Sequence, residues 1–419
     1  MKEFLKNVKS KTAQHKILIQ NFSYLSGLQI FTLLLPLITY PYLIRILGKE
    51  TYGLIVFAQA IIGYFVILVG FGFNISATKE ISIQRDNNEK LSEIVSSVLI
   101  IKGGLFILSL LILTIVLWFI PQAQGYEMLF YLTMWLCLYD FIFPIWYFQG
   151  IEQMKYITYL TLVSRLFFFC MIFLVIKSPD DYLLMPIING IGALIAGVLS
   201  LFIIFTKHRI LFKWQPLKVL KKYVIDSLPI FLSNVSIRFF VSTNKVILGA
   251  FMGMAEVSYY DLGEKIVSIA KIPQTLFGQT LFPKINKDKN ISFIKKAFKI
   301  SIIFNFLLFV GVIVLSKYAV LFLGGEEMTP AIWIINILAL SVPIIAMSNI
   351  FGVQLLIPFG KLKLFSQIIV SSGFVYLIQL LLIWIAWDIN IYSVSIITVT
   401  TEIVVTAIMF YFCKKHKLW

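Results

Sequence analysis

NFSYLSGLQIFTLLLPLITYPYLIRILGKETYG, residues 21–53, reads as a membrane-crossing helix built to bend. Asn21 and Ser23 offer N-cap oxygens, about twenty mostly apolar residues follow, and Gly48 stands where a helix would stop. Pro36 and Pro41 each remove a backbone donor and press on the preceding turn. Lipid offers no substitute partner, so the freed carbonyls must face protein or trapped water. The two prolines therefore mark a hinge directed toward an interior cavity. Asn21, Gln29, Thr32, Pro36 and Thr39 share one helical face, and Arg45 lies near the helix end. A polar stripe and an arginine at this depth point to a helix that lines a pathway.

The rest of the chain has the same character. Hydrophobic residues fill 59% of the 419 positions and charged residues only 13%, which excludes a soluble enzyme on a membrane anchor. The longest internal polar interval, 206–223, is too short to fold alone. The tail MKEFLKNVKSKTAQHK is lysine-rich, and the apolar run behind it is too long for a signal-peptide core, so the tail is expected to be retained. Apolar segments recur at 21–46, 52–74, 94–119, 127–148, 157–176, 182–205, 224–249, 255–282, 297–323, 331–357, 364–387 and 392–412. The expected fold is an all-α polytopic membrane protein with about twelve transmembrane helices, arranged as two pseudo-symmetric six-helix lobes around a central cavity. The expected organisation is a basic tail (1–20), an N-terminal lobe (21–205), a linker loop (206–223), a C-terminal lobe (224–412) and a second basic tail (413–419).

Basic residues set the orientation. With both termini cytoplasmic, the inner side receives the N-terminal tail and Lys79, Arg85 and Lys90. It also receives Lys207, Arg209, Lys213, Lys218, Lys221 and Lys222 of the linker. Lys284, Lys287, Lys289, Lys295, Lys296, Lys361, Lys363, Lys414, Lys415 and Lys417 follow on that side. The outer side keeps little beyond Lys49, Lys177 and Lys317, as the positive-inside rule requires. The net charge of +16 is thus mainly a topology signal, and its scatter over short loops argues against nucleic acid as a partner.

The halves on either side of the linker echo each other. Ile46-Leu47-Gly48, with Glu50 and Tyr52 beyond, matches Ile247-Leu248-Gly249, with Glu256 and Tyr259 beyond. An even number of crossings per half makes the repeats parallel, as in transporters whose lobes rock about a central site.

Polar groups at membrane depth mark that site, because a charge at the bilayer centre costs about 2.5–3.5 kcal/mol even on the lenient insertion scale. Ser227, Asn234, Arg238, Ser242 and Lys245 form one stripe on the seventh crossing. Asp261, Glu264, Lys265, Ser268, Lys271 and Thr275 form another on the eighth, where Asp261 and Lys265 stand four apart and can pair. Arg45, Lys102 and Arg165 add bases, although Lys102 is near enough to a helix end to snorkel. The isolated acids are Asp140, with Thr133 and Pro144 near its face, and Glu402, beside Thr398 and Thr406. Each is a counter-charge or an ion-coupling group. The excess of bases suits an anion.

Catalysis finds little support. His15, His208 and His416 fall in tail or loop, and Cys137, Cys170 and Cys413 lack metal or redox spacing. There is no GxxxxGK[ST] loop for nucleotide phosphates.

PLITYPYLIRILGKETYGLIVFAQAIIGYFVILVGFGFNISATKEIS, residues 36–82, resembles the N-terminal signature of Wzx-type polysaccharide flippases of the multidrug/oligosaccharidyl-lipid/polysaccharide (MOP) exporter superfamily. The resemblance rests on the paired prolines, Arg45-Ile46-Leu47-Gly48, Glu50, Tyr52-Gly53, Gly70-Phe71-Gly72 and Lys79-Glu80. It implies a non-enzymatic bacterial inner-membrane flippase that carries an undecaprenyl-pyrophosphate-linked oligosaccharide from the cytoplasmic to the outer leaflet by alternating access. O-antigen, capsule, exopolysaccharide and common-antigen pathways are equally compatible. On this reading Arg45, Arg165, Arg238, Lys245 and Lys271 attract the pyrophosphate, and Gln29, Asn234 and Ser242 contact sugar. Asp140, Asp261 and Glu402 supply counter-charges or coupling to a proton or sodium gradient, with no cofactor or metal. Membrane lipids, a polysaccharide polymerase and a chain-length regulator are the implied partners, and a monomer suffices because one chain supplies both lobes. Two competing classes make different demands. A cation-coupled multidrug exporter of the same superfamily needs an acid-dominated pocket, and a membrane glycan polymerase or ligase needs a large external loop. The external loops 120–126, 177–181 and 388–391 are short.

Overall fold

The computed structural model describes the backbone of residues 2–386 and 389–419, and their side chains except at 2–19, Phe22, Leu25, Ser26, Leu33 and 236–241. Among the described residues all regular structure is helical, and nine stretches are long and apolar enough to cross a membrane. One of them, Gly27–Ile83, holds two of the expected crossings joined at Gly48. Two further helices, Leu217–Phe251 and Met254–Asp288, fall outside the nine. They are the two that carry the polar stripes. The protein is an all-α, multi-pass membrane protein.

The chain forms two compact units, the first comprising Met1–Tyr42 and Ile61–Val235. Helix α1 (Lys2–Gly70) enters and leaves this unit. It continues through Asn21, so no cap forms there; the Asn21 amide instead donates to the Glu152 carbonyl at 2.9 Å. Pro36 and Pro41 both lie inside α1, and the non-helical residue is Gly48, with φ 77° and ψ 164°. That region of backbone space is open to glycine and strained for any residue with a Cβ. The break therefore falls after the prolines and not at them. Next come α2 (Phe73–Ile83) and α3 (Asn88–Trp118), whose first amides are capped by the Asn87 side chain. The fourth crossing is divided into α4 (Glu127–Thr133), α5 (Trp135–Ile142) and α6 (Ile145–Gly150), the last beginning after Pro144. Helices α7 (Met154–Val175) and α8 (Leu184–Phe202) follow, then α9 (Leu217–Phe251), which leaves the unit. Phe73, Ile81, Val95, Trp146 and Phe148 are buried together at the core. The linker is pinned to α3, where the amides of Leu211 and Lys213 donate to the Ser92 and Ser96 hydroxyls at 3.0 and 2.9 Å.

The second unit comprises Leu43–Ala60 and Ser236–Trp419. It contains α10 (Met254–Asp288), α11 (Ile291–Gly324), α12 (Ala331–Ala339) and α13 (Ser341–Ser348). A π-helical segment (Asn349–Leu356), α14 (Leu362–Ile385) and α15 (Ile391–Lys415) complete it. Division at the linker would leave 43–60 with the first half, but local contacts bind this stretch to the second unit. The Ser258 hydroxyl donates to the Lys49 carbonyl, and Arg45 donates to the Phe322 carbonyl at 3.1 Å. Gly53 lies so close to α10 that an added Cβ would stand 1.7 Å from the Met254 carbonyl oxygen. Gly53→Ala should therefore exceed the about 1–3 kcal/mol of ordinary overpacking, because backbone and not a flexible side chain blocks the methyl. Thermal unfolding in detergent checks this, with Gly104→Ala, which meets nothing within 4 Å, as the neutral comparison.

The halves repeat each other in backbone as well as in sequence. Gly48 and Gly253, both at positive φ, break the chain between the first and second crossings of each half. Gly249, the residue aligned by the sequence echo, stays within α9. The fourth crossing is interrupted in both halves, at Met134 and at Leu340, and each follows a 3-10 turn (Pro121–Ala123 and Glu326–Met328). Interrupted crossings at matching positions are a recurrent feature of transporters built from repeats.

Candidate functional site

In the second unit, α9 and α10 bring together a closed charge network. Asp261 and Lys265, one helical turn apart, pair through Asp261 Oδ2. Lys245 reaches from α9 to Asp261 Oδ1 and to Glu264 Oε2, each at 2.7 Å. The Tyr52 hydroxyl donates to Asp261 Oδ2 at 3.2 Å and accepts from the Lys265 ammonium. Asp261 is 3% exposed, so its two ammonium partners and one hydroxyl replace the water it lost. Two cations face two carboxylates. Lys245, read from sequence as a cation free to attract a substrate anion, is committed to protein carboxylates. Asp261 acts as a counter-charge.

A polar pocket of about 210 Å³ opens beside this network, lined by Asn244, Tyr260, Glu264, Lys271, Thr398 and Glu402 among others. One wall is held by Asn244. The Asn244 amide donates to Tyr260 Oη at 2.7 Å and Thr398 Oγ1 at 2.8 Å, and its carbonyl accepts from Tyr376 at 2.6 Å. These bonds tie α9, α10, α14 and α15 together around the cavity. The Lys271 ammonium and the Glu402 carboxylate also line it, and among the described residues neither makes a hydrogen bond or direct ion pair. Here one cation and one anion remain available to something that enters.

The first unit holds a separate buried pair. Lys102 is fully buried, and its ammonium stands 2.8 Å from both Asp140 Oδ2 and the Asp140 carbonyl oxygen. Sequence position suggested snorkelling; the partner keeps Lys102 inside instead. Asp140 lies just before the Phe143-Pro144 interruption, so this pair braces α3 against the broken crossing. Arg165 is half-buried on α7, without a hydrogen-bond partner among the described residues, and acts electrostatically on Tyr139.

The other expected site residues are dispersed. Arg45 is exposed and serves the carbonyl end of α11, and Gln29 is exposed on α1. Asn234 is half-buried in the first unit, Ser242 is buried in the second, and the Arg238 side chain lies outside the described residues. Sequence reasoning passed over Asn244, Tyr260 and Tyr376, and took Tyr52 only as part of a motif. Tyrosine and asparagine hydroxyls and amides carry no charge penalty to flag them, and only their adjacency to Lys245 and Asp261 could have pointed there.

Buried charge networks between helices of an interrupted, repeated membrane fold are recurrent features of transporters. Residues 18–289 match the family model described as "Polysaccharide biosynthesis protein", and the chain belongs to that family. It is 28% identical over 410 residues to an Escherichia coli K12 protein named "Putative O-antigen transporter", covering 95% of this chain and 97% of that one. A Shigella dysenteriae protein of the same name is 26% identical over 359 residues, covering 82% and 87%. Among solved structures, a MATE-family multidrug resistance transporter of the MOP superfamily, inward-facing, superposes with a TM-score of 0.72 at 13% identity, covering 91% of this chain and 94% of that one. The lipid II flippase MurJ, in an inward closed conformation, gives 0.70 at 16% identity, covering 93% and 87%. The fold is that of MOP-superfamily transporters, and these relatives are carriers and not catalysts.

Proposed function

We propose that the protein flips an undecaprenyl-pyrophosphate-linked oligosaccharide from the cytoplasmic to the outer leaflet of a bacterial inner membrane, by alternating access, for assembly of O-antigen or a related surface polysaccharide. Similarity to two proteins named as O-antigen transporters, over 95% and 82% of this chain, carries this reading. The side chains fit a sugar-pyrophosphate head. Among the described residues Lys271, in the second unit, makes no hydrogen bond or direct ion pair, nor does Arg165, in the first, and each is suited to a phosphate oxygen. Asn244, Tyr260 and Thr398 present groups that bond sugar hydroxyls. The break at Gly48, just beyond Pro36 and Pro41, supplies the pivot. Both termini face the cytoplasm on the positive-inside count, a monomer suffices, and a polymerase and chain-length regulator receive the product.

Coupling to a proton or sodium gradient falls to Glu402. Asp140 and Asp261 are held by lysines, whereas Glu402 lines an open pocket and makes no hydrogen bond or ion pair among the described residues. In vesicles with an imposed gradient, Glu402→Gln should reduce gradient-driven glycolipid movement by about five- to a hundred-fold, the usual span of a coupling energy. Undiminished stimulation would remove Glu402 from that role. One observation favours the drug-exporter reading: the pocket is lined by two acids, Glu264 and Glu402, and one base, Lys271. Movement of quaternary-ammonium dyes, measured alongside, separates the two.

A further inference from the structure

A second cavity of the second unit, about 450 Å³, lies between α11, α13, the π-helical segment and α15. Its walls include Phe298, Met347, Phe351, Ile403, Phe410 and Trp419. The polar exception is Thr406, whose hydroxyl is buried with no hydrogen-bond partner. Phe351 centres an aromatic box, 5.5 Å from Phe298, 5.1 Å from Phe410 and 5.1 Å from Trp419 between ring centroids. It belongs to an eight-residue π-helical run, a geometry that is rare and recurs at functional sites. Two exposed lysines rest on the walls: Lys295 Nζ is 5.5 Å from the Trp419 ring and Lys414 Nζ is 5.0 Å from the Phe410 ring. An apolar slot with ammonium groups at its rim fits a molecule with a long apolar chain and an anionic head.

We infer that this slot takes the head-proximal isoprene units of a prenyl diphosphate when the carrier first docks, with Lys295 and Lys414 on the two phosphates before the head passes to the polar pocket. The lysines come from different helices, so each can serve one phosphate of a diphosphate head. The four aromatic walls offer flat faces to the planar double bonds and methyl branches of an isoprenoid, which a straight acyl chain lacks. The inference rests on the glycolipid reading above and gives the first isoprene units of the carrier a docking place distinct from the pocket that holds the head during transport.

The test uses the purified full-length protein in nanodiscs and a photoreactive geranylgeranyl diphosphate, with labelled peptides identified by mass spectrometry. Labelling should concentrate on 349–356 and α15. It should be competed by undecaprenyl diphosphate and not by phosphatidylglycerol. Ala407→Phe, from an exposed position on the slot wall, should abolish labelling while thermal unfolding stays that of the wild type. Lys295→Ala with Lys414→Ala should weaken binding about 25-fold, at about 1 kcal/mol per lysine near a membrane surface. Labelling elsewhere, or equal competition by phosphatidylglycerol, would overturn the inference. Glycolipid movement by the wild type without slot labelling would sink the slot alone. Slot labelling without glycolipid movement would sink the transport reading and leave the slot standing.

Discussion

Asp261→Ala is expected to destabilise the second unit by about 3–5 kcal/mol, the cost of stranding a buried partner charge. Its removal takes from Lys265 the carboxylate it pairs with and takes from Lys245 one of its two. Lys245→Met added to Asp261→Ala restores neutrality, leaving Lys265 and Glu264 as the charges. The pair should therefore be less damaging than the sum of the single changes, by about 0.5–3 kcal/mol in a double-mutant cycle. Thermal unfolding in detergent reads both, and strict additivity would show that the network is not a unit. Tyr52→Phe removes one hydroxyl from the same carboxylate and from Lys265 and should cost about 1.5–3 kcal/mol, the range for hydrogen bonds to charged groups.

Lys102→Ala should be comparably damaging to the first unit, again about 3–5 kcal/mol, because it strands the Asp140 carboxylate. The informative variant replaces both partners. Lys102→Met with Asp140→Leu keeps the volume and removes both charges, so it should recover most of the loss. It also decides what Asp140 does. If Asp140 is a counter-charge, the apolar pair transports glycolipid at close to the wild-type rate. A folded but inactive apolar pair would make Asp140 part of the transport chemistry.

The membrane crossings were legible because bilayer thickness sets a length and apolar composition marks it. Gly48 was legible as a stop, since its neighbours supply no other residue that accepts positive φ. The interruption at Leu340 has a mark in Pro343, which withholds a donor from the Ala339 carbonyl where α12 ends; the one at Met134 has no Pro or Gly beside it and was not legible. The π-helical run at Asn349–Leu356 likewise has no local sequence mark. In the site, the Asp261–Lys265 pair could be read from helical spacing alone. Lys245 with Asp261, and Lys102 with Asp140, join separate helices, and no periodicity within one helix reveals that. Lys102 was misjudged because distance from a helix end says nothing of a carboxylate 38 residues away. The expected excess of bases shrank for the same reason: a lysine counted as free in one dimension met its acid in three.

Transbilayer movement of a lipid-pyrophosphate-linked oligosaccharide, followed in vesicles containing the purified protein with dye transport run alongside, tests the central claim most directly. Glycolipid should cross and the quaternary-ammonium dye should not, with Lys271→Met slowing the glycolipid. Dye transport without glycolipid movement would contradict the account and make Glu264 and Glu402 the drug-binding acids.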